Sequence, residues 1–577
     1  MIVDQSISII DNVGNIIKSL DTKQNDVQVE AKGEEITSII QYIVDEAKSE
    51  HIEIEQLWLD KIPDMIFVEE LKKKYNVGHK KNVINPIIGE YDDPDNQQQN
   101  VLTLPLSLDG NTIVFGSGGS GKELMLSTIV YSVISCHDSS EVNFYILDFG
   151  AETLTMFRKA PHVGEVLLAT ESEKIDNLFK MILKIIEERK KLFVDYNGSF
   201  DFYINHGGRQ LPMIIVMINN VEAFLETYND YEELLGQVTR DCAKYGVVFI
   251  FSTNGPNTIR YRLRQNFRQN VVLQFNDQSD YASVLPGVRK KEPSKVYGRG
   301  MMDLGGIYEF QTAYPYKEEK MTDYIKIICQ RLGEICSVKA KKVPILPEVV
   351  TQESVESVLG SMRTIPVGIE KESLEVASIN LKDSFLYNIT GEDITALPGL
   401  YHGIARALVK VPNTNVLIID ALSTMQTETI SDEGISYDSG ACTDGIAKLK
   451  LMLEAKQANN TPDEFVCMII GFNTLINKMD TIEKSNFKLL IQNAAGLGTV
   501  KFILVDTIDS IKSLSYEVWY KENIDLSEGL WIGNGIANQF TLKVTTNARV
   551  LRAEIDPKFG YVIKKGKATL IKMISGE

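Results

Sequence analysis

The sequence lacks several features that would assign it to a whole class of protein. Its 577 residues include only six cysteines and six histidines; no two cysteines form a Cys-x-x-Cys pair, and the histidines are scattered. No apolar run reaches the length of a membrane span, since the longest stretches, such as 213–218, have the length of a strand. We therefore expect no metal site, no disulfide framework and a reducing compartment.

An excess of positive charge is also missing. The 60 Lys and Arg residues are outnumbered by 78 Asp and Glu residues, which gives a formal net charge of −18. Proteins that bind nucleic-acid phosphates depend on lysine and arginine, so the negative net charge disfavours a nucleic-acid partner. The basic cluster that contains Arg260 and Arg262 could be a solvated surface or part of a protein interface, and the sequence leaves both roles open. Asp4 and Asp11 interrupt the region where a signal peptide would need an apolar core, so we expect this chain to be soluble by itself.

The pattern of strands and helices indicates an α/β protein. Near-continuous apolar runs at 212–218 and 247–251 are typical of buried parallel strands. The length is too great for one core and predicts tandem domains, each a mainly parallel sheet flanked by helices. We assign a lead-in at 1–80 with a helix over 36–47 that should pack on a neighbour, a first domain at 81–341, an extended proline-containing linker at 342–350 and a second domain at 351–577.

Two landmarks of the first domain recur in the second. The segment that ends in Gly89 has a counterpart that ends in Gly368, and the strand that leads into Gly116 has a counterpart that leads into Gly391. Both pairs are separated by nearly the same number of residues. This spacing predicts an internal repeat, and therefore two domains of the same plan.

One segment of the first domain has the pattern of a phosphate-binding loop. The pattern G-x-x-x-x-G-K-[ST] lets backbone N–H groups surround the phosphates while the lysine reaches the β and γ oxygens. A strand precedes the segment and an apolar helix follows it, which is the context that this motif requires. We therefore predict ATP as the cofactor, bound by Gly116, Ser117, Gly118, Gly119, Ser120, Gly121, Lys122 and Glu123.

The residues that should handle metal and water depart from the motif. Glu123 replaces the hydroxyl that normally binds Mg²⁺. The apolar strand that should end in Asp-Glu ends instead in Asn219 and Asn220. An amide cannot act as a base, and it binds Mg²⁺ more weakly than a carboxylate does. We therefore predict nucleotide binding with little or no hydrolysis, weak support for Mg²⁺ and no confident catalytic residue.

Three acidic residues near this loop leave alternatives open. Glu123 could bind the metal itself, or it could repel the phosphates. Glu222 could replace the missing base, or it could be an ordinary surface acid. Asp148 ends a strand, where it could face the nucleotide or cap the following turn.

The corresponding loop of the second domain has lost its phosphate chemistry. It begins at Gly391, where Glu392 and Asp393 would repel phosphate, and Leu397 stands in the position of the lysine. Its equivalent of the acidic strand ends in Gly471. We predict that this domain keeps the fold for its surface, and no catalytic constellation remains in it.

These residues resemble the FtsK/SpoIIIE class of hexameric ATPases, which has the RecA-like P-loop fold. Beyond the loop, the resemblance is carried by 145–150, by Ser252-Thr253-Asn254-Gly255-Pro256 and by Gly298-Arg299-Gly300-Met301. Within that class the segments at 86–99, 343–347 and 529–535 resemble the last two ATPase-like domains of type VII secretion ATPases of Gram-positive bacteria. This resemblance covers nearly the whole chain.

The resemblance implies a role in protein export. It implies recognition of WXG100-type secreted substrates, with regions 391–400 and 465–540 as a loose guide to where their C-terminal signal binds. It also implies a homo-hexamer at the cytoplasmic face of the cell membrane. Contact with the membrane would come through N-terminal parts outside this sequence, which include transmembrane helices and a first ATPase domain. A DNA translocase of the same class and a purely structural module of the hexamer stay open as alternatives.

Overall fold

A computed structural model describes residues 7–20, 35–52, 60–288, 291–355, 361–425, 434–459 and 462–576. The chain divides into two compact units. Unit 1 comprises Met1–Glu171 and Leu183–Lys341, and unit 2 comprises Ser172–Ile182 and Lys342–Glu577. Each unit contains one ten-stranded sheet flanked by helices, which confirms the predicted fold class.

The sheet of unit 1 combines a parallel half and an antiparallel half. The strands are β1 (Ile7–Ile10), β2 (Ile16–Leu20), β3 (Ile87–Asp93), β4 (Gln98–Thr103), β5 (Thr112–Phe115), β6 (Val142–Asp148), β7 (Val163–Leu168), β8 (Met213–Asn219), β9 (Val247–Thr253), β10 (Gln269–Leu273), β11 (Arg299–Asp303) and β12 (Ile307–Thr312). Strands β1 and β2 pair only with each other. The other ten are ordered β4-β3-β12-β11-β10-β5-β9-β8-β6-β7, and the six strands from β10 to β7 are parallel. Strand β5 therefore lies in the middle of the sheet.

The helices up to residue 341 are α1 (Glu35–Ser49), α2 (Val68–Lys74), α3 (Leu106–Asp109), α4 (Lys122–Ile134), α5 (Ser172–Leu192), α6 (Phe200–Asn205), α7 (Val221–Thr227), α8 (Tyr231–Asp241), α9 (Tyr261–Arg264), α10 (Gln278–Val284) and α11 (Met321–Ile335). Helix α4 is buried over almost its whole length. Helix α1 matches the helix predicted over 36–47, but its isoleucines are exposed, so the described residues supply no core for it. None of the helices in the described ranges combines the length and the apolarity that crossing a bilayer requires.

Unit 2 contains its own ten strands and eight helices among the described residues. The strands are β13 (Ile365–Glu370), β14 (Val376–Ile379), β15 (Leu386–Gly391), β16 (Thr414–Asp420), β17 (Ile435–Ser439), β18 (Glu464–Ile470), β19 (Val500–Thr507), β20 (Gly529–Ile532), β21 (Phe559–Lys564) and β22 (Lys567–Met573). The helices are α12 (Gln352–Val355), α13 (Pro398–Val409), α14 (Thr443–Asn459), α15 (Phe472–Asn477), α16 (Thr481–Ala494), α17 (Ile508–Leu514), α18 (Val518–Lys521) and α19 (Ala548–Leu551).

The two sheets have the same topology, which confirms the predicted tandem of similar domains. The order in unit 2 is β14-β13-β22-β21-β20-β15-β19-β18-β16-β17, so each strand corresponds to the one numbered ten lower in unit 1. The glycines that suggested the repeat have the same environment. A Cβ atom on Gly89 would lie 2.1 Å from the Gln311 carbonyl oxygen, and one on Gly368 would lie 2.2 Å from the Lys572 carbonyl oxygen. Both glycines adjoin a register shift in the pairing with the edge strand, and the carbonyl that approaches each of them belongs to the neighbouring strand on the other side.

Candidate functional site

The loop between β5 and α4 has the backbone of a phosphate-binding loop. Gly119 and Gly121 have positive φ angles of 78° and 102°, a conformation that glycine adopts without steric cost. A Cβ atom on Gly116 would lie 2.4 Å from Ser120 Oγ, and one on Gly121 would lie 2.9 Å from the Gly298 Cα. The loop therefore requires glycine at both ends of the motif. Gly298 belongs to the segment that resembled the family's late motif, and its amide donates to the Ser120 carbonyl (3.1 Å).

Lys122 is folded onto the loop that precedes it. Its ammonium donates to the carbonyl oxygens of Gly116 (2.5 Å) and Ser117 (2.9 Å). Burial lowers the pKa of Lys122, while the nearby carboxylates of Glu123 and Glu222 oppose that shift. The ammonium thus lies at the first turn of α4 with two acidic side chains around it.

Several polar groups of the loop fit a phosphate. Within the part of the chain that the structure describes, the amides of Gly118, Gly119 and Gly121 donate to no protein acceptor. The Ser120 hydroxyl is buried and has no hydrogen-bond partner among the same residues. Helix α4 adds the partial positive charge of its N-terminus, and Lys122 adds a full charge. This donor set suits an anion that carries several acceptor oxygens.

Asn219 is a structural crosslink at the end of β8. Its amide nitrogen donates to Asp148 Oδ1 (2.8 Å), and its amide oxygen accepts from the Ser252 hydroxyl (2.7 Å). These three residues lie on β6, β8 and β9, so one buried amide ties three neighbouring strands together. Asn220 instead caps α7, where its side-chain oxygen accepts from the Ala223 amide. Both asparagines are therefore engaged in holding the fold.

Asp148 caps the turn that follows β6, which settles one of the alternatives left by the sequence. Its carboxylate accepts from the amides of Gly150 (3.2 Å) and Leu154 (3.0 Å) in addition to Asn219. Asp420 ends β16 in unit 2 and does the same for the amides of Leu422 and Met425. Because this carboxylate is also present in unit 2, which has no phosphate loop, its role is structural.

Glu222 lies near the loop and accepts a hydrogen bond from another side chain. It lies in the first turn of α7, and its carboxylate accepts from the Asn254 amide nitrogen (3.1 Å). Its carboxylate is one of the two that oppose the lowering of the Lys122 pKa by burial, so its negative charge lies close to the loop. The basic residue Arg260 pairs with Glu232 (3.1 Å), and Arg262 is exposed.

The equivalent loop of unit 2 is closed by apolar side chains. Ile394 and Leu397 are buried in the core of the unit, and the Tyr401 hydroxyl donates to the Ile394 carbonyl. The Asp393 carboxylate accepts from the amide and the hydroxyl of Thr395, so it caps the loop's own backbone. Where unit 1 presents an ammonium, unit 2 presents a leucine side chain to its own core. Trp519 and Trp531 are also buried.

Comparison with known proteins defines the class first. Residues 82–287 match the model of the FtsK/SpoIIIE family. Over most of its length the chain is homologous to type VII secretion ATPases. It is 23% identical to the type VII secretion system protein EssC of Staphylococcus aureus (strain MRSA252), over 84% of this chain and 34% of that protein. It is 26% identical to the ESX secretion system protein YukB of Bacillus subtilis (strain 168), over 66% of this chain and 25% of that protein.

Solved structures agree on the fold. The structure of EssC (ATPases 2 and 3) from Geobacillus thermodenitrificans superposes with a TM-score of 0.72 at 20% identity, covering 90% of this chain and 100% of that one. EccC (ATPases 2 and 3) of Thermomonospora curvata, in complex with a signal sequence peptide, gives a TM-score of 0.50 at 20% identity, covering 86% and 94%. The resemblance noted from the sequence is thereby confirmed. The chain spans about a third of the length of the first two curated relatives.

The charge of Glu123 gives a first prediction. Replacing Glu123 with glutamine should tighten the binding of ATP measured in EDTA by about fivefold, because removing one repulsive charge near the phosphates is worth about 1 kcal/mol. Titration calorimetry on the whole chain measures this effect. The matched control is Glu226→Gln, an exposed residue of α7. Weaker binding by the Glu123 variant in EDTA would contradict a repulsive role.

Proposed function

We propose that unit 1 binds ATP at Gly116–Glu123 and hydrolyses it slowly or not at all. The single observation that carries this proposal is the loop itself, in which Lys122 and three amides without a partner among the described residues surround one small region. On binding, the Lys122 ammonium would exchange the carbonyls of Gly116 and Ser117 for β and γ phosphate oxygens. This exchange replaces two neutral acceptors by charged ones, which make stronger hydrogen bonds.

The side chains at the usual positions of the catalytic acids support slow hydrolysis. Asn219 and Asn220 offer no carboxylate, and Asp148 is occupied by two backbone amides and an amide side chain. Glu222, the remaining candidate, is paired with Asn254. Glu123 would hold a Mg²⁺ ion bound with the nucleotide, and the ion would neutralise charge on the phosphates. ATP in this unit would then serve as a bound ligand and not as a source of energy.

We further propose that the chain is the substrate-recognising part of a type VII secretion ATPase. Homology to EssC and YukB supports this role, and EccC of Thermomonospora curvata has been solved in complex with a signal sequence peptide. We infer that unit 2 receives C-terminal signals of WXG100-type substrates, since its own loop is filled by Ile394 and Leu397 and keeps no nucleotide chemistry. The hexamer and the position at the cytoplasmic membrane face belong to the same proposal.

We infer that exposed apolar side chains of unit 2 contribute to the surface on which a peptide docks. Phe540 is 95% exposed, and Tyr516 and Val518 are also exposed. All three lie in the region 465–540 to which the family resemblance pointed. A large aromatic side chain in water costs free energy that a bound peptide would recover.

A peptide titration tests this recognition. We expect Phe540→Ser to weaken the binding of a WXG100 C-terminal peptide to the whole chain by about tenfold or more, since aromatic anchors dominate such contacts. Leu451→Ser, at another exposed apolar position of unit 2, should leave the affinity unchanged. Fluorescence anisotropy of a labelled peptide measures both. No peptide binding, or equal affinity of the two variants, would refute the assignment, whereas ATP binding is tested separately at Lys122.

A further inference from the structure

A second polar cluster lies in unit 1 at the far end of the helix that follows the phosphate loop. Helix α4 ends at Ile134, and His137 and Glu141 follow in the turn before β6. His79 comes from the segment between α2 and β3 and meets them there. We propose that His79, His137 and Glu141 bind one divalent transition-metal ion of the Zn²⁺ type.

The three side chains already have the separation of metal ligands. One ligand atom from each lies within 4.8 Å of the other two. His79 Nε2 is 2.9 Å from Glu141 Oε2, and His137 Nδ1 is 3.4 Å from the same oxygen. In a tetrahedral site with bonds of about 2.0–2.1 Å, ligand atoms stand roughly 3.3 Å apart. Two of the three separations are already close to this value, and the two imidazole nitrogens, which lie within 4.8 Å of each other, would move towards it when an ion binds.

His137 supplies an independent reason to place a ligand here. Only 5% of its side chain is exposed, and its Nδ1 atom has no hydrogen-bond partner among the described residues. The Glu141 oxygen at 3.4 Å is close enough for an ion pair but does not satisfy hydrogen-bond geometry. A buried ring nitrogen without a partner costs free energy. A metal ion bound to Nδ1 would remove that cost.

The surroundings hold Glu141 in the orientation of a ligand. The Asn82 amide donates to Oε1 (2.9 Å), and the Asp138 amide donates to Oε2 (3.2 Å). Oε2 also faces both histidines, at 2.9 Å from His79 Nε2 and 3.4 Å from His137 Nδ1. Two backbone amides therefore fix the carboxylate whose oxygen would bind the ion.

The ligand set favours zinc. Two imidazole nitrogens and one carboxylate oxygen suit Zn²⁺ and its neighbours in the transition series better than Mg²⁺ or Ca²⁺. The side chain of His79 is 45% exposed, which leaves a route for the ion and a coordination position for water. His137 and Glu141 are four residues apart along the chain, but a pair alone does not predict a site, and His79 comes from a different segment. The ion would fasten the segment before β3 to the end of the phosphate-loop helix.

Metal titration of the whole chain, after treatment with a chelator and dialysis, tests the site. We expect one equivalent of Zn²⁺ to bind with a Kd of about 10 μM or tighter, and Co²⁺ to give the visible absorption of a tetrahedral site. His79→Gln should weaken binding by about tenfold or more, and because this histidine is half-exposed the variant should keep its fold. His206→Gln, an exposed histidine outside the cluster, is the matched control.

The outcomes separate the metal site from a hydrogen-bonded histidine–glutamate pair. Circular dichroism establishes that each variant is folded, and Zn²⁺ should raise the Tm of the parent but not that of His79→Gln. His137→Gln gives a second check from the buried side. No stoichiometric binding, or equal affinity of parent and His79→Gln, would overturn the proposal.

Discussion

Replacement of Lys122 by alanine is expected to weaken ATP binding to the chain by about 100-fold, which corresponds to about 2.7 kcal/mol. Hydrogen bonds from an ammonium to phosphate are among the strongest that a side chain makes, and Lys122 supplies the only full positive charge of the described loop. The fold should survive, because the lysine contributes only two hydrogen bonds to carbonyls of its own loop. Titration calorimetry with ATP measures the loss.

Two control variants test whether this effect is specific. Lys450→Ala removes an exposed lysine of α14 in unit 2 and should leave ATP affinity unchanged. Leu397→Ala changes the residue that stands where unit 1 has its lysine. It should leave ATP affinity unchanged and lower the free energy of unfolding by about 2–4 kcal/mol, because Leu397 is part of the core. An affinity of Lys122→Ala within about threefold of the parent would refute nucleotide binding at this loop.

Local signals explain how much of unit 1 could be predicted. The strand at 112–115 and the apolar runs that form β8 and β9 are recognisable because buried parallel strands read as continuous apolar residues. The phosphate loop is recognisable because its backbone conformation requires glycine, so the conformation is visible in the local sequence. Strands β4 and β12 carry no comparable signal. They contain many polar residues. Strand β12 is held by pairing with the distant β3, and β4 is an edge strand held by its hairpin with β3, so pairing and not local apolar pattern decides their conformation.

Contacts between distant residues explain what could not be predicted. The sequence indicated that Asn219 is a poor metal ligand. It could not indicate the hydrogen bond from Asn219 to Asp148, because these residues are 71 positions apart along the chain. The cluster of His79 and His137 is likewise made by two segments that only the fold brings together. A sequence pattern therefore shows more readily that a side chain has lost its catalytic chemistry than which contact it makes in the fold.

Comparison of the two units distinguishes residues that the shared fold needs from residues that a ligand would need. Asp148 and Asp420 end corresponding strands, and each accepts from backbone amides of the turn that follows. Both units keep this carboxylate although only one keeps a phosphate loop. The lysine, in contrast, is present in unit 1 and replaced by buried Leu397 in unit 2. Retention of the carboxylate in both units indicates a structural role, and retention of the lysine in unit 1 alone is what the proposed nucleotide site requires.

Asn219→Asp, which would restore the acid of a hydrolytic site, is expected to destabilise unit 1 by about 3 kcal/mol at neutral pH. The new carboxylate would replace an amide donor 2.8 Å from Asp148, so two buried acids would face each other. The Ser252 hydroxyl, which donates to Asn219, can offset only one of the two charges. Thermal and urea unfolding measure the loss, and an ATPase assay should show no gain in turnover.

The pH dependence and a double variant test the cause. Two carboxylates in one site can share a proton, which raises the folded-state pKa of one above its unfolded value of about 3.9. The stability that the shared proton provides is present at low pH and is lost as the pH rises through the folded-state pKa. The deficit of Asn219→Asp should therefore be small near pH 4 and largest above about pH 7. Adding Asp148→Asn should recover part of the deficit by restoring a donor between the strands. Asn220→Asp, the same change at a helix cap, should cost less than about 1 kcal/mol. A deficit that does not vary with pH would mean that lost packing, and not the facing carboxylates, is responsible.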